Sequence, residues 1–268
     1  MVEMKNPPAN RMIDSVSRIL SQAYKNLNSL RRNTFRLSDV LVWPVLYLFT
    51  LTFFITYLGS DKSYLYMVIL GMMGWRAMYF LNLEVVGSFT EEHWSKTLGY
   101  LFASPISRME FAIGSAISGV LKSIFVIVIY LVLTYLLYGF VVLDWATFAI
   151  GVVFLAIAGF TLGLFALGLA YFMKEEAFNL SFILPDTLAL LSGVYFAIDK
   201  VYPAWLLPFI RLLPTTQAFE LLKSIVGLGH PDFVLLVLTS AGWLVIAYLF
   251  NGYMYDWARR EGKLARLG

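Results

Sequence analysis

Apolar residues run on, again and again along this chain, for about the 20 positions that an α-helix needs to cross the hydrocarbon of a bilayer. The runs occupy residues 40–58, 64–87, 111–139, 146–172, 179–198 and 233–254. Inside lipid a backbone must satisfy its own N–H and C=O groups, so only helices or closed barrels cross. The apolar/polar alternation of a barrel strand is absent. The sequence therefore predicts an all-α integral membrane protein with six transmembrane helices, in one membrane domain over 1–268. Charged residues make up 14% of the 268, against about 25% in soluble proteins. The third and fourth runs exceed the minimum, which implies tilt or extension into water.

Before the first run, residues 11–33 place Ile13, Val16, Leu20, Ala23, Leu27 and Leu30 at helical spacing, with Arg18, Lys25 and Arg31 on the other faces. Two readings fit: an amphipathic helix lying in the membrane interface, or a solvated helix packed on the protein itself. The first 39 residues are polar and basic, so no cleavable leader is expected.

Basic residues set the orientation. With the N-terminus in the cytoplasm, the inner segments hold Lys5, Arg11, Arg18, Lys25, Arg31, Arg32, Arg36, Lys96, Arg108, Lys174, Arg259, Arg260, Lys263 and Arg266, and the outer ones only Lys62, Lys200, Arg211 and Lys223. Both termini are expected inside, in a multi-pass protein of the plasma membrane. The outer connection 199–232 is too apolar for a plain loop, and Pro203, Pro208 and Pro214 interrupt it too often for a span. Two short re-entrant helices over 202–226 are expected there. In the fourth run Gly159 and Gly163 form a small-xxx-small pair that lets backbones approach, within the chain or between subunits. Trp43, Trp75, Trp145, Trp205 and Trp257 fall near the expected interfaces, as an aromatic belt.

No enzyme constellation emerges. The chain has no G-x-x-x-x-G-K-[ST], no H-E-x-x-H and no G-x-S-x-G. Cysteine is absent, which removes disulfides, thiolate metal sites and thiol nucleophiles. The two histidines, His93 and His230, fall on opposite sides of the membrane. Four ionisable residues lie inside the runs: Arg76, Glu84, Lys122 and Asp186. Such residues are costly in lipid and are paired or functional. Pairing Arg76 with Asp186 and Glu84 with Lys122 would hold the bundle; alternatively, Glu84 and Asp186 line a path for a gradient-driven transporter. An intramembrane enzyme acting on lipid is a third class.

Between the second and third runs lies a polar island, EEHWSKTLGYLFASPISRME, at 91–110. Ser88 or Thr90 would cap a helix over 91–103, with Glu91 and Glu92 in its first turn. Trp94, Leu98 and Leu101 recur at helical spacing, Ser104-Pro105 ends the helix, and a new one begins near Ser107. A short amphipathic helix at the cytoplasmic edge suits either the membrane surface or a partner's groove.

These residues resemble the membrane permeases of ABC-2 type exporters. The shared pattern is an acidic pair, a short coupling helix, Ser-Pro-Ile, then an acid and a glycine: here Glu91-Glu92, Lys96-Thr97-Leu98, Leu101, Ser104-Pro105-Ile106, Glu110 and Gly114. The stretch LLSGVYFAIDKVYPAWLLPFIRLLPTTQAFELLKSIVG at 190–227 is similar to the family's fifth span and outer helices. The chain departs from the pattern at His93, where a basic residue is usual, and at Lys96-Thr97, where Gly-Thr is usual. The resemblance implies a half-channel that pairs with a second copy or a homologous permease and docks on a separate ABC ATPase. That partner would carry the ATP and Mg, leaving no cofactor on this chain and no nucleic-acid partner. Trp94, Thr97, Leu98 and Leu101 would form the ATPase contact, Glu91 and Glu92 would meet basic residues there, and Ser104-Pro105 would close the coupling helix. Tyr202, Pro203, Pro214 and Glu220 would belong to the outer gate.

Overall fold

The computed structural model describes residues 8–30 and 33–262. Of the basic residues that set the orientation, Lys5, Arg31, Arg32, Lys263 and Arg266 lie outside the described residues, as do the side chains of Arg11 and Lys174. Among the described residues every regular element is helical. Helix α1 is Pro8–Leu30, α2 Thr34–Tyr57, α3 Lys62–Trp94, α4 Leu98–Ala103, α5 Arg108–Tyr138 and α6 Trp145–Met173. A 3-10 segment at Lys174–Asn179 leads into α7, Leu180–Leu191; the short helices α8 (Ile198–Val201), α9 (Leu207–Arg211) and α10 (Thr216–Ser224) precede α11, Phe233–Arg260.

Five of these helices, α2, α3, α5, α6 and α11, are long and apolar enough to cross a membrane. Helix α3 is the axis: 89% of its most apolar window is buried, against 22% in α2 and in α11, which lie at the rim. Lipid tails are as apolar as leucine, so close packing has to hold such helices together. Helix α6 achieves it with glycine. A Cβ at Gly159 would overlap the Met78 carbonyl of α3, and one at Gly163 would come within 2.8 Å of Val85 Cβ. The small-xxx-small pair thus seats α6 on α3 within the chain. The outward faces carry Phe53, Phe54, Ile124, Phe125, Val128, Val132, Leu238 and Leu249, all exposed. An apolar surface this continuous is what lipid, not water, stabilises.

The fifth expected run, 179–198, is not one long helix. Helix α7 has only 12 residues, with Pro185 inside it, about 18 Å at the α-helical rise. It ends at Gly193, whose φ of +67° places it in the left-handed region. A Cβ there would stand 2.8 Å from Phe196 O and overlap Ile198, so only glycine fits the turn. Hydropathy runs on through Val194 and Phe196 and carries no trace of this break.

Helix α1 turns its apolar edge outward: Met12, Ile13, Val16, Leu20 and Tyr24 are exposed. Ala23 apart, the side chains it buries are polar. Gln22 donates to Ser115 Oγ at 3.3 Å and to Asn26 Oδ1 at 3.2 Å; Asn26 donates to Ser88 Oγ at 2.6 Å and Ser118 Oγ at 3.3 Å. Helix α1 thus hydrogen-bonds inward and shows its aliphatic edge outward. Among the tryptophans of the expected belt, Trp43, Trp145 and Trp205 are exposed and Trp257 stacks on Phe172 with ring centroids 5.0 Å apart. Trp75 departs from the belt and is buried.

Candidate functional site

The polar island folds differently from the single helix expected over 91–103. Helix α3 continues through Trp94, so Glu91 and Glu92 sit in the last turn of one helix and not the first turn of another. Ser88 and Thr90 are not caps. Their hydroxyls bond back within α3, to Glu84 O at 2.6 Å and Val86 O at 3.1 Å. The break follows at Lys96, whose φ of +56° makes it the one non-glycine residue at positive φ among those described. That position is normally glycine, which is why the sequence gives no warning of the break.

Carboxylates at a helix C-terminus oppose the helix dipole, and here cations hold them. Arg36 Nη2 pairs with Glu91 Oε2 at 2.9 Å, and Lys25 of α1 pairs with Glu92, which also accepts from the Thr97 hydroxyl. Burial pushes the Lys25 pKa down, with Glu91 opposing the shift. Ser107 caps α5 in a capping box with Glu110, as its place near the start of the expected helix implies. Glu110 also binds Arg18 of α1 through two bonds, at 3.0 Å from Nε and 2.6 Å from Nη2, and these raise the Arg18 pKa. Three ion pairs therefore brace the tip: Arg18–Glu110, Lys25–Glu92 and Arg36–Glu91.

Within this frame the proposed contact face separates. Leu98 is fully buried and packs with Phe89 and Phe111; Leu101 is half-buried. Thr97 is held by Glu92. Trp94 is 53% exposed, with Ser104 and Pro105 also exposed. The most outward large side chain is Tyr100, 80% exposed, which sequence reasoning missed. Its position two residues past Leu98 puts it on the opposite side of α4, a signal available only once Leu98 is known to point inward.

Of the four intramembrane charges, Glu84 and Lys122 pair as expected, with both side chains 4% exposed. Glu84 also accepts from Ser118 Oγ at 2.8 Å, which ties the pair to the polar ladder under α1. The expected Arg76–Asp186 pair does not form. Arg76 is buried among rings, with its guanidinium carbon 4.6 Å from the Trp75 centroid, 5.5 Å from Tyr79 and 5.6 Å from Tyr47, and its Nε donates to Tyr130 Oη at 3.2 Å. Cation–π contacts stand in for a carboxylate. Asp186 is exposed because α7 buries Ser181, Pro185 and Ala189 instead, one turn apart. Asp39, one residue before the first apolar run, accepts from Tyr79 Oη at 3.3 Å.

At the other end, the short helices α9 and α10 lie inside the 202–226 segment. Tyr202 donates to Leu190 O at 3.0 Å; Pro203 is exposed and Pro214 buried. Glu220 accepts from Lys223 Nζ at 2.8 Å and from the His230 backbone at 3.1 Å. Lys223, read as an outer-loop cation, is buried and also donates to Phe196 O at 2.9 Å. Glu220 and Lys223 thus staple α10 to the turn after α7 and to the strip leading into α11. Among the described residues no cluster of acids and histidines is placed to hold a metal.

No curated protein matches the chain. The model of the ABC-2 type transporter family matches residues 21–227, from the second half of α1 to the turn after α10, and the chain accordingly belongs to that family of ABC-type membrane permeases.

Proposed function

We propose that this chain is the membrane subunit of an ABC exporter, driven by ATP hydrolysis on a separate ATPase. The observation that carries the reading is the braced tip. Three ion pairs lock the end of α3 and the start of α5 to the interfacial helix, while Trp94 and Tyr100 stand out from it. A tip this rigid transmits displacement, and an aromatic side chain projecting from it is the kind of anchor that fills a pocket on a partner. The ATPase engages this tip, and its closure on ATP moves α3 and α5 together. Direction comes from that partner, since a conformational equilibrium shifts only through differential binding energy.

Six crossings complete the topology, the fifth made by α7 with the turn that follows it. An even number puts Arg18, Lys25 and Arg36 on the same side as Arg259 and Arg260, the cytoplasm. The outer turn and α8 to α10 close the path from outside, held by Glu220, Tyr202 and the buried Pro214. A second copy or a homologous permease supplies the other half of the path. Pairing of Glu84 with Lys122 in the interior ties up one of the two carboxylates that a gradient-driven path would use.

The test is co-purification in mild detergent. Native protein retains an ATPase carrying a P-loop; Tyr100→Asp elutes as native but loses it. Retention of the ATPase by Tyr100→Asp refutes the docking role of the tip.

A further inference from the structure

A cavity of about 120 Å³ lies between the start of α2, the last turns of α3, α5 and the 3-10 segment with α7. One wall is aromatic. Trp94 meets Phe178 edge to face at 5.1 Å, and Phe178 meets Phe182 at 5.3 Å. Charged side chains share the lining: Arg36, Asp39, Glu84 and Lys122.

The balance of these charges decides what the cavity attracts. Arg36 is committed to Glu91 at 2.9 Å and to Ser29 Oγ at 2.8 Å; Lys122 is committed to Glu84. Asp39 forms no ion pair among the described residues, and its one hydrogen bond is the 3.3 Å contact from Tyr79. Arg76 and Lys122 both act on Asp39 through space, but Arg76 is held in its own ring box outside the cavity lining and Lys122 is paired with Glu84. The lining therefore presents one carboxylate without an ion pair among the described residues, Asp39, together with the rings of Trp94, Phe178 and Phe182.

We propose that this cavity binds an organic ammonium group carrying an apolar tail. A carboxylate restores the charge balance of a desolvated cation, and ring faces attract methylated ammonium groups. The size agrees: an apolar cavity of about 150 Å³ holds one benzene, so this one takes a head group and leaves the tail to pass out between helices into lipid. Gly87 forms part of the floor, where a Cβ would meet only Phe178 Cε2 at 3.5 Å and Arg36 Nη2 at 4.0 Å. A larger side chain there fills the cavity without displacing backbone.

The experiment is equilibrium binding of radiolabelled octyltrimethylammonium to the purified full-length chain in dodecyl maltoside. Saturable binding is expected, weakened by about tenfold in Asp39→Asn and by several-fold in Phe182→Ala, and abolished in Gly87→Leu. Asp61→Asn, an exposed carboxylate outside the cavity, should bind as the native chain does. Displacement by octylphosphocholine identifies the choline head of a lipid as an occupant; indifference to it identifies a free amphiphilic amine. Undiminished binding by natively eluting Asp39→Asn or Gly87→Leu, or equal displacement by uncharged octyl glucoside, overturns the proposal. No ATPase is present in the assay, so that result would leave the permease reading standing.

Discussion

Breaking the Glu84–Lys122 pair one side at a time should be far more damaging than removing it whole. Both side chains are 4% exposed, so neither can be rescued by water. Removing one partner of a buried pair costs about 3–5 kcal/mol, whereas replacing both with apolar groups of similar volume is nearly neutral. The structure refines those figures. In Lys122→Met, Glu84 keeps the Ser118 bond at 2.8 Å, which offsets part of the loss, so about 3 kcal/mol is expected. In Glu84→Leu the Lys122 ammonium is left buried without its carboxylate, so about 3–5 kcal/mol is expected. Glu84→Leu with Lys122→Met should return to within about 1 kcal/mol of the native chain. The assay is equilibrium unfolding in mixed micelles followed by circular dichroism, read as a double-mutant cycle. If the double variant is as unstable as the sum of the singles, the pair is not coupled and the reasoning is wrong.

Other outcomes follow from the same geometry. Leu98→Asp should lower stability by several kcal/mol, because it buries an unpaired charge against Phe89 and Phe111, whereas Tyr100→Asp should melt within about 0.5 kcal/mol of native; unfolding titrations separate them. Gly159→Val should prevent native assembly, since its side chain would occupy the Met78 carbonyl, and size-exclusion elution reports it. Tyr130→Phe removes the bonds to Arg76 and to Pro44 O at 3.2 and 2.8 Å, for a loss of about 1–3 kcal/mol in the same titration. In intact cells a cysteine at exposed Lys200 should react with an impermeant thiol reagent, while one at Lys96 or at buried Lys223 should not.

What the sequence revealed, and what it hid, has a physical pattern. Long crossings were legible because hydropathy over about 20 residues is a property of composition. The Glu84–Lys122 pair was legible because counting residues from the span ends gives depth. Ser107 announced its helix through the glutamate three residues on. Features set by one dihedral or by the facing of a neighbour were not legible. Lys96 takes a left-handed conformation with no glycine to mark it, so the acidic pair was assigned to the wrong helix. Leu98 and Trp94 share helical spacing on paper, but the break between α3 and α4 rotates one inward and leaves the other outward. Arg76 was paired with a carboxylate because a charge in lipid needs a partner; the rings of Trp75 and Tyr79 stood beside it in the sequence, while Tyr47 and Tyr130 came from other helices. Lys223 reads as a loop cation in sequence, whereas Glu220, one turn earlier, and the Phe196 carbonyl accept its hydrogen bonds.

The central claim, that an ATPase drives this permease through the tip formed by α3, α4 and the start of α5, is tested most directly by site-specific photo-crosslinking in native membranes. A photoreactive residue at Tyr100 should capture a protein bearing a P-loop, identified by mass spectrometry, and one at Lys200 should not. Capture of no such protein at Tyr100, with efficient crosslinking to lipid there instead, would contradict the account.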